Sequence, residues 1–390
     1  MSTPSIALIP SGYKEGLLYS QLPINGDGDL TFSRPGISGV PNATRVNEQG
    51  LIENVNADVP RLDYSDGGCP VLLLEPSATN LIPNSNEVVG IGAGVVDLNN
   101  SISPDGTQDA LKVTFGSSTN DGARFSPFNS ACLPSTEYTF SFYAKILIGD
   151  GTFKVRIDTD GAIGTNQDFT ATNEWVLYQY TFTTDASANN FINTSRLRPD
   201  TANNEVLFYE FQLELGTVAT SRIKTSGGVA TRTQDTANKS GLENYINSQE
   251  GVFYAEIKAL SELGGNRYIT LSDGTSANRI ILKLQDIDKI NIFIGNSNGG
   301  SDSFNYDNAN ISTQFNKVAI KWKQDEVSFW VNGSKIDSVA LFNTFTDSTL
   351  NTLIFSGSSG NSSLFQGKVK DLRVYTTALT DQELTELTTI

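Results

Sequence analysis

The chain has 390 residues, with 27 Lys and Arg against 43 Asp and Glu and no histidine. Its net charge of −16 argues against sequence-independent binding to nucleic acid or to an anionic membrane, because both need a cationic face. Without histidine there is no Ser-His-Asp triad, Cys-His pair or His-ligated metal, so catalysis would have to run on carboxylates, Lys, Tyr or a carbonyl-bound metal.

Residues 1–81 are punctuated too densely for long elements, at Gly26-Asp27-Gly28, Arg34-Pro35-Gly36 and Pro41-Asn42. An irregular, extended N-terminal arm is expected, with Ile6–Pro10 and Val71–Leu74 short enough only for edge strands. The start lacks a basic segment followed by an apolar core, so no cleaved signal peptide is expected. No window approaches eighteen apolar residues, so no membrane-spanning helix is expected. Cys69 and Cys132 are too few for a disulfide framework and are expected as buried free thiols.

Residues 82–222 alternate apolar and polar with the period of half-buried strands. Tyr138, Phe140, Phe142 and Ala144 are expected to share a face, as are Val176, Tyr178, Tyr180 and Phe182, and Leu207, Tyr209, Phe211, Leu213 and Leu215. Turns rich in Gly, Asn, Asp and Ser make these strands antiparallel and the domain a β-sandwich. Trp175 is out of phase with its strand, and Arg124 is a charged donor, so both are candidate glycan contacts. Residues 223–235, with Gly227-Gly228, read as a linker.

Residues 236–390 form a second sandwich. Lys317–Trp322 and Val327–Val331 alternate, and Asn332-Gly333 between strands is a tight-turn dipeptide. Trp322 is in phase with Val318 and Ile320 and belongs to the core. Trp330 is opposite in phase to Val327, Phe329 and Val331 and faces the other surface. Asn296–Ser303 reads as a polar loop continuing to Tyr306. Tyr306, as a ring in water, and Asn296, as an amide beside it, join Trp330 as candidate glycan contacts, since sugars are bound by rings flanked by amides or carboxylates. Thr380 followed by Glu383 is a capping box that opens one short C-terminal helix. The fold class is therefore all-β: two antiparallel sandwiches, an irregular arm before them and one helix after.

The strand-Val331-Asn332-Gly333-strand hairpin, the closing strand Gly367–Tyr375 and the helical tail resemble the concanavalin A-like/laminin-G sandwich. Ser103-Pro104-Asp105-Gly106-Thr107, Trp175–Tyr178 and Phe211–Gly216 resemble a carbohydrate-binding module of the jelly-roll type. Laminarinase-type glucanases of the first fold carry Glu-x-Asp-x-x-Glu on one strand, placing carboxylates on one face. The counterpart here is Glu256-Ile257-Lys258-Ala259-Leu260-Ser261-Glu262, where Lys258 and Ser261 replace acids and Glu262 is out of phase. No catalytic residue is assigned, and Glu256 and Lys258 are expected as a solvated pair. Calcium is the cofactor that lectin-type loops would take. Asp273, Asp302, Asp307 and Asn310, and Asp97, Asp105 and Asp109 in the first sandwich, suit either such a loop or ordinary turns, and no metal site is assigned.

Within the arm, Ser33-Arg34-Pro35-Gly36, Ala43-Thr44-Arg45-Val46-Asn47, Gly50-Leu51-Ile52-Glu53, Pro60-Arg61-Leu62-Asp63-Tyr64 and Leu72–Leu81 together resemble the leader of tailed-bacteriophage virion proteins. That resemblance implies a fibre, spike or capsid-decorating protein of the virion. Its arm would bind other virion proteins, its sandwiches would adhere to host-surface polysaccharide, and it would assemble as a homo-oligomer, a trimer in the usual fibre. A purely structural decoration, or a glycan depolymerase, are the alternatives.

Overall fold

The computed structural model describes residues 2–10, 12–39, 41–260, 265–285, 288–297, 300–307, 309–340, 343–358, 360 and 362–390. The chain divides into two compact units. The first comprises Met1–Pro41, Val55–Pro76 and Thr233–Ile390, and the second Asn42–Asn54 and Ser77–Arg232.

Among the described residues the first unit holds an eight-stranded and a nine-stranded antiparallel sheet. The eight-stranded sheet centres on Gly251–Ala259, flanked by Asn316–Lys323 on one side and Gly367–Tyr375 on the other. Glu326–Val331 and Ser334–Val339 extend it through a hairpin whose Asn332 and Gly333 have φ of 49° and 83°, the two positive values a type I′ turn requires. The nine-stranded sheet runs from Tyr13–Lys14 through Leu30–Ser33, Thr236–Lys239 and Thr352–Ile354 to Arg267–Ser272, Arg279–Gln285, Lys289–Asn296 and Gly300–Tyr306. Alternation sends Phe253, Ala255, Ile257, Val318, Ile320 and Trp322 from one sheet, and Ile269, Leu271, Ile280, Leu282, Ile292 and Ile294 from the other, into one buried cluster. Trp322 is core, as its phase requires, and its Nε1 donates to the Asn247 carbonyl at 3.3 Å.

The opposite face of the eight-stranded sheet is closed by the α-helix Asp381–Thr388. The Thr380 hydroxyl accepts from the Glu383 amide, and the Glu383 carboxylate accepts from the Thr380 amide, so the expected capping box is present. Leu384 and Leu387 pack there with Val252, Tyr254, Ala319 and Trp330.

Met1–Pro41 and Val55–Pro76 belong to this unit and Asn42–Asn54 to the other, which corrects the expected irregular arm. Ile6–Leu8 pairs with Gly367–Tyr375, Val71–Leu74 pairs with that same strand, and Leu30–Ser33 pairs with Thr236–Lys239. Residues 223–235, expected as a linker, are also bonded into the fold: the Ile223 amide donates to Gln212 Oε1 at 2.7 Å, Ala230–Arg232 pairs with Ala78–Asn80, and Asp235 pairs with Arg34 at 3.0 Å. The guanidinium of Arg222 donates to the Glu210 carbonyl at 3.0 Å and to Ser141 Oγ at 2.8 Å, and Arg232 donates to Thr220 Oγ1 at 3.2 Å, all within the second unit.

The second unit is the other sandwich. One sheet orders Val89–Ile91, Gly122–Arg124, Arg196–Pro199, Thr152–Arg156 and Gln167–Thr170. The other orders Val95–Ser101, Ala110–Thr114, Glu205–Leu215, Glu137–Ile148 and Val176–Thr183. Between them lies an aromatic core in which Phe140, Phe142, Phe153, Phe208 and Phe211 meet edge-on or tilted with centroids between 5.1 and 5.9 Å, apart from a stacked Phe140–Phe211 pair at 6.1 Å. Cys132 is buried in this core and its thiol is pushed up to about 11 by burial, with Asp160 and Asp185 adding to it. Cys69 is exposed, because it sits in a polar turn rather than on a strand, so only one of the two thiols is buried as expected.

Candidate functional site

In the first unit, the end of the nine-stranded sheet offers a built surface. Arg267–Ser272, Arg279–Gln285 and Lys289–Asn296 pair in continuous register, placing Tyr268 opposite Lys283 and Lys283 opposite Asn291. The intervening isoleucines and leucines point into the core, so Tyr268, Arg279, Lys283 and Phe293 stand on the outward face. The Lys283 ammonium lies 5.5 Å from the Tyr268 ring centre and 5.1 Å from that of Phe293, and the Arg279 guanidinium lies 5.0 Å from Phe293. Neither cation makes a salt bridge among the described residues. Burial, and then the charge on Arg279, push the Lys283 ammonium below the usual lysine range. These side chains, with Ser276, Ser358 and Ser362, line a pocket of about 270 Å³. Rings beside cations and hydroxyls are what recognition of a sugar requires, the rings for its apolar face and the donors for its oxygens.

The residues singled out from the sequence fall elsewhere. Tyr306 is not a ring in a loop. The segment Gly300–Tyr306 is an edge strand, and Tyr306 pairs with the buried Ile290 and packs half-buried against the core. Asn296 ends its strand 7% exposed, and its amide donates to the Asn343 carbonyl. Trp330 does face away from the main core, but the C-terminal helix covers it to 4% exposure, so it has no surface for a ligand. Trp175 is half-buried just before Val176–Thr183, with Nε1 donating to the Ile102 carbonyl at 3.2 Å. Arg124 is exposed and, with Arg196, borders a pocket of about 240 Å³ that also touches Ile91 and Asn120. Arg124 ends the Gly122–Arg124 strand of one sheet, whereas Trp175 immediately precedes Val176–Thr183 of the other, so the fold does not pair them on one strand face. Tyr268, Phe293, Arg279 and Lys283 were missed because each is a single outward residue between apolar neighbours, the pattern of any half-solvated strand.

Glu256 and Lys258 lie on one face but are not each other's partners. Glu256 pairs with Lys370 at 3.0 Å, whereas Lys258 pairs with Asp66 and lies 5.0 Å from the Phe315 ring. Ser261 and Glu262 lie outside the described residues. Across the strands Glu256 stands opposite Asp371, whose carboxyl is raised by burial despite its pairing with Arg373 at 2.6 Å.

Most of the loop acids that suited either a calcium loop or ordinary turns are bonded within their own turns or to cations. Asp273 accepts from the Thr275 amide at 2.8 Å and from the Asn278 amide at 2.7 Å. Asp302 lies on a strand, Asp307 pairs with Lys289 at 3.2 Å, and Asn310 turns the chain at φ 47°. Asp105 accepts from Ser103 at 2.6 Å and Tyr209 at 2.9 Å, Asp97 pairs with Lys112 at 3.0 Å, and Asp109 pairs with Lys224 at 3.4 Å. Among the described residues no three His, Cys, Asp or Glu side chains converge on one point.

Residues 244–385 match the model of the concanavalin A-like lectin/glucanases superfamily, and residues 84–198 match that of a carbohydrate binding domain. The first unit therefore contains a concanavalin A-like domain and the second a carbohydrate-binding domain, a class of module that is itself non-catalytic. No curated protein matches the chain. Among solved structures, the Ruminococcus gnavus IT-sialidase CBM40 bound to α2,3-sialyllactose is 18% identical, with 36% of this chain and 83% of that one covered at a TM-score of 0.32. Domain 4 of AbnA, a GH43 extracellular arabinanase from Geobacillus stearothermophilus in complex with arabinotriose, is 20% identical, covering 44% and 82% at 0.33. A heptameric SAP-like pentraxin from Limulus polyphemus is 15% identical, covering 36% and 70% at 0.30.

Proposed function

We propose that this chain is a glycan-adhesion protein displayed on the virion of a tailed bacteriophage. The observation that carries the adhesion half is the presence, in one chain, of a carbohydrate-binding-domain match and a lectin-superfamily match. The Tyr268–Lys283–Phe293 pocket offers a surface of the right chemistry in the second of these. What supports the virion half is the run of leader motifs from Arg34 to Leu81. In this reading the protein attaches to other virion proteins as a homo-oligomer, a trimer, and holds host-surface polysaccharide without cleaving it.

The test is binding of the recombinant chain to a glycan array and to whole bacteria, with light scattering for assembly and an assay for released oligosaccharide. Saturable binding without release is the expected result. Silence on every saccharide would remove the adhesion reading, and release of oligosaccharide would make the protein a depolymerase. Mass spectrometry of purified particles checks the virion assignment, which a chain absent from intact particles would refute.

A further inference from the structure

One sheet of the second unit carries an alignment of like charges. Arg124 pairs in register with Arg196, and Arg196 pairs with Arg156, so three arginines stand side by side across three strands. Two residues along, Lys154 stands opposite Arg198. The neighbours Ala123, Leu197, Phe153 and Val155 point into the aromatic core, so the cations share the outward face. Like charges directly opposite each other destabilise a sheet, and this chain has an excess of acids with which to avoid it.

The countercharges are sparse. Lys154 pairs with Asp168 and Asp200 at 2.8 and 2.7 Å, and Arg156 with the buried Asp158 at 2.7 Å. Arg124, Arg196 and Arg198 make no ion pair among the described residues. Two of these are instead aimed by neutral acceptors. Arg196 Nε donates to the Thr194 carbonyl at 2.9 Å, and Arg198 Nε to the Thr119 carbonyl at 2.9 Å. Arg156 Nε is buried with no acceptor. Burial, then Arg156 and Arg198, push the Arg196 guanidinium down, and burial and Arg156 do the same to Arg198. Beside the ladder lies the open pocket between Arg124 and Arg196, with Ile91 as its apolar wall. Val89, 41% exposed, stands opposite Arg124 and continues that apolar edge.

We propose that this face binds carboxylate-bearing saccharides, a hexuronate polymer being the class it fits. The proposal rests on the glycan-binding reading and names the ligand within it. Guanidinium forks match carboxylates in bidentate geometry, and a row of them matches acids repeated along a chain. The apolar edge takes a sugar ring's hydrophobic face, and the ligand's charge relieves the repulsion among the aligned cations. The short reach of the ladder and the net charge of −16 argue against a densely charged nucleic acid.

The test is calorimetric titration of the full chain with oligogalacturonate, its methyl ester, a neutral glucan oligomer and a single-stranded oligonucleotide. The acid is expected to bind, and its ester, with the same rings but no charge, to bind more weakly by about tenfold to a hundredfold. Arg196→Gln is expected to lose a similar factor while Tm stays level or rises, a combination that a merely structural arginine would not give. Arg124→Gln, at an exposed position, gives the same loss of binding with no change in Tm. Equal affinity for acid and ester, or wild-type binding by both variants, overturns the acidic-ligand inference and leaves glycan binding standing if the neutral glucan binds. Tighter binding of the oligonucleotide than of any saccharide overturns both.

Discussion

Arg34 and Arg61 explain why the N-terminal segment belongs to the first unit. Both are fully buried, and both reach the buried Asp235, Arg34 at 3.0 Å. Arg61 also pairs with Glu75, and Arg34 donates to the carbonyls of Asn56 at 2.6 Å and Val59 at 3.0 Å. Burial alone would lower the Arg61 guanidinium, but Asp235 and Glu75 outweigh it and hold it above the usual range. Each residue sits in a motif visible in the sequence: Arg34 before Pro35-Gly36, Arg61 before Leu62-Asp63, and Glu75 before Pro76. The wording of the segment was legible, but its role was not, because a buried arginine and an exposed one look alike until the partner 174 to 201 residues away is known. Asn80 gives the second unit a similar anchor, donating to the Phe211 and Ile223 carbonyls and accepting from the Ile82 and Leu213 amides. Asp235→Ala is expected to destabilise the first unit by about 3–5 kcal/mol, since it strands two buried guanidiniums. Urea unfolding would measure it, and a loss below about 1 kcal/mol would show that the arginines find other acceptors at little cost.

At the scale of elements, the strands and the helix were largely readable and the exposure of particular rings was not. Alternation fixed which residues of Lys317–Trp322 and Val327–Val331 share a face, and the faces are as expected. Phase cannot say whether the second face of a sheet meets water or another element. For Trp330 it meets the helix, which lies fifty residues later in the chain. The same ambiguity hid the Arg196 ladder, since Arg-Leu-Arg and Lys-Val-Arg are also how an ordinary solvated strand reads. Only the register showed that the two cationic rows are neighbours. The helix is therefore a lid on Trp330 rather than an appendage. Leu384 is fully buried, and Leu384→Ala is expected to cost about 2–5 kcal/mol in the first unit. Its Trp fluorescence would shift to the red as Trp330 meets water. An unshifted spectrum with unchanged stability would mean that the helix does not hold its place in solution.

For the whole molecule, net charge conceals the distribution that matters. A chain of −16 nevertheless places cations that have no carboxylate partner among the described residues on two faces, one in each unit: Arg279 with Lys283, and Arg124 with Arg196 and Arg198. The two pockets are of about 270 and 240 Å³, so a saccharide held at either one alone is expected to bind weakly. A polymer that engages both turns the second contact into an intramolecular one, and such linkage raises overall avidity by about 10² to 10⁴ when the chain can span the sites. If one oligogalacturonate chain reaches both faces, a long oligomer is expected to bind the intact protein far more tightly than a short one does. Lys283→Gln and Arg196→Gln, each sparing one face, should both reduce the long ligand to the affinity of the short one. Titration of the two ligand lengths against the two variants separates the cases. If one variant abolishes the length dependence and the other leaves it whole, a single face carries the adhesion. If neither changes it, the gain arises from many copies of the chain in an oligomer, and light scattering of the same samples would show that assembly.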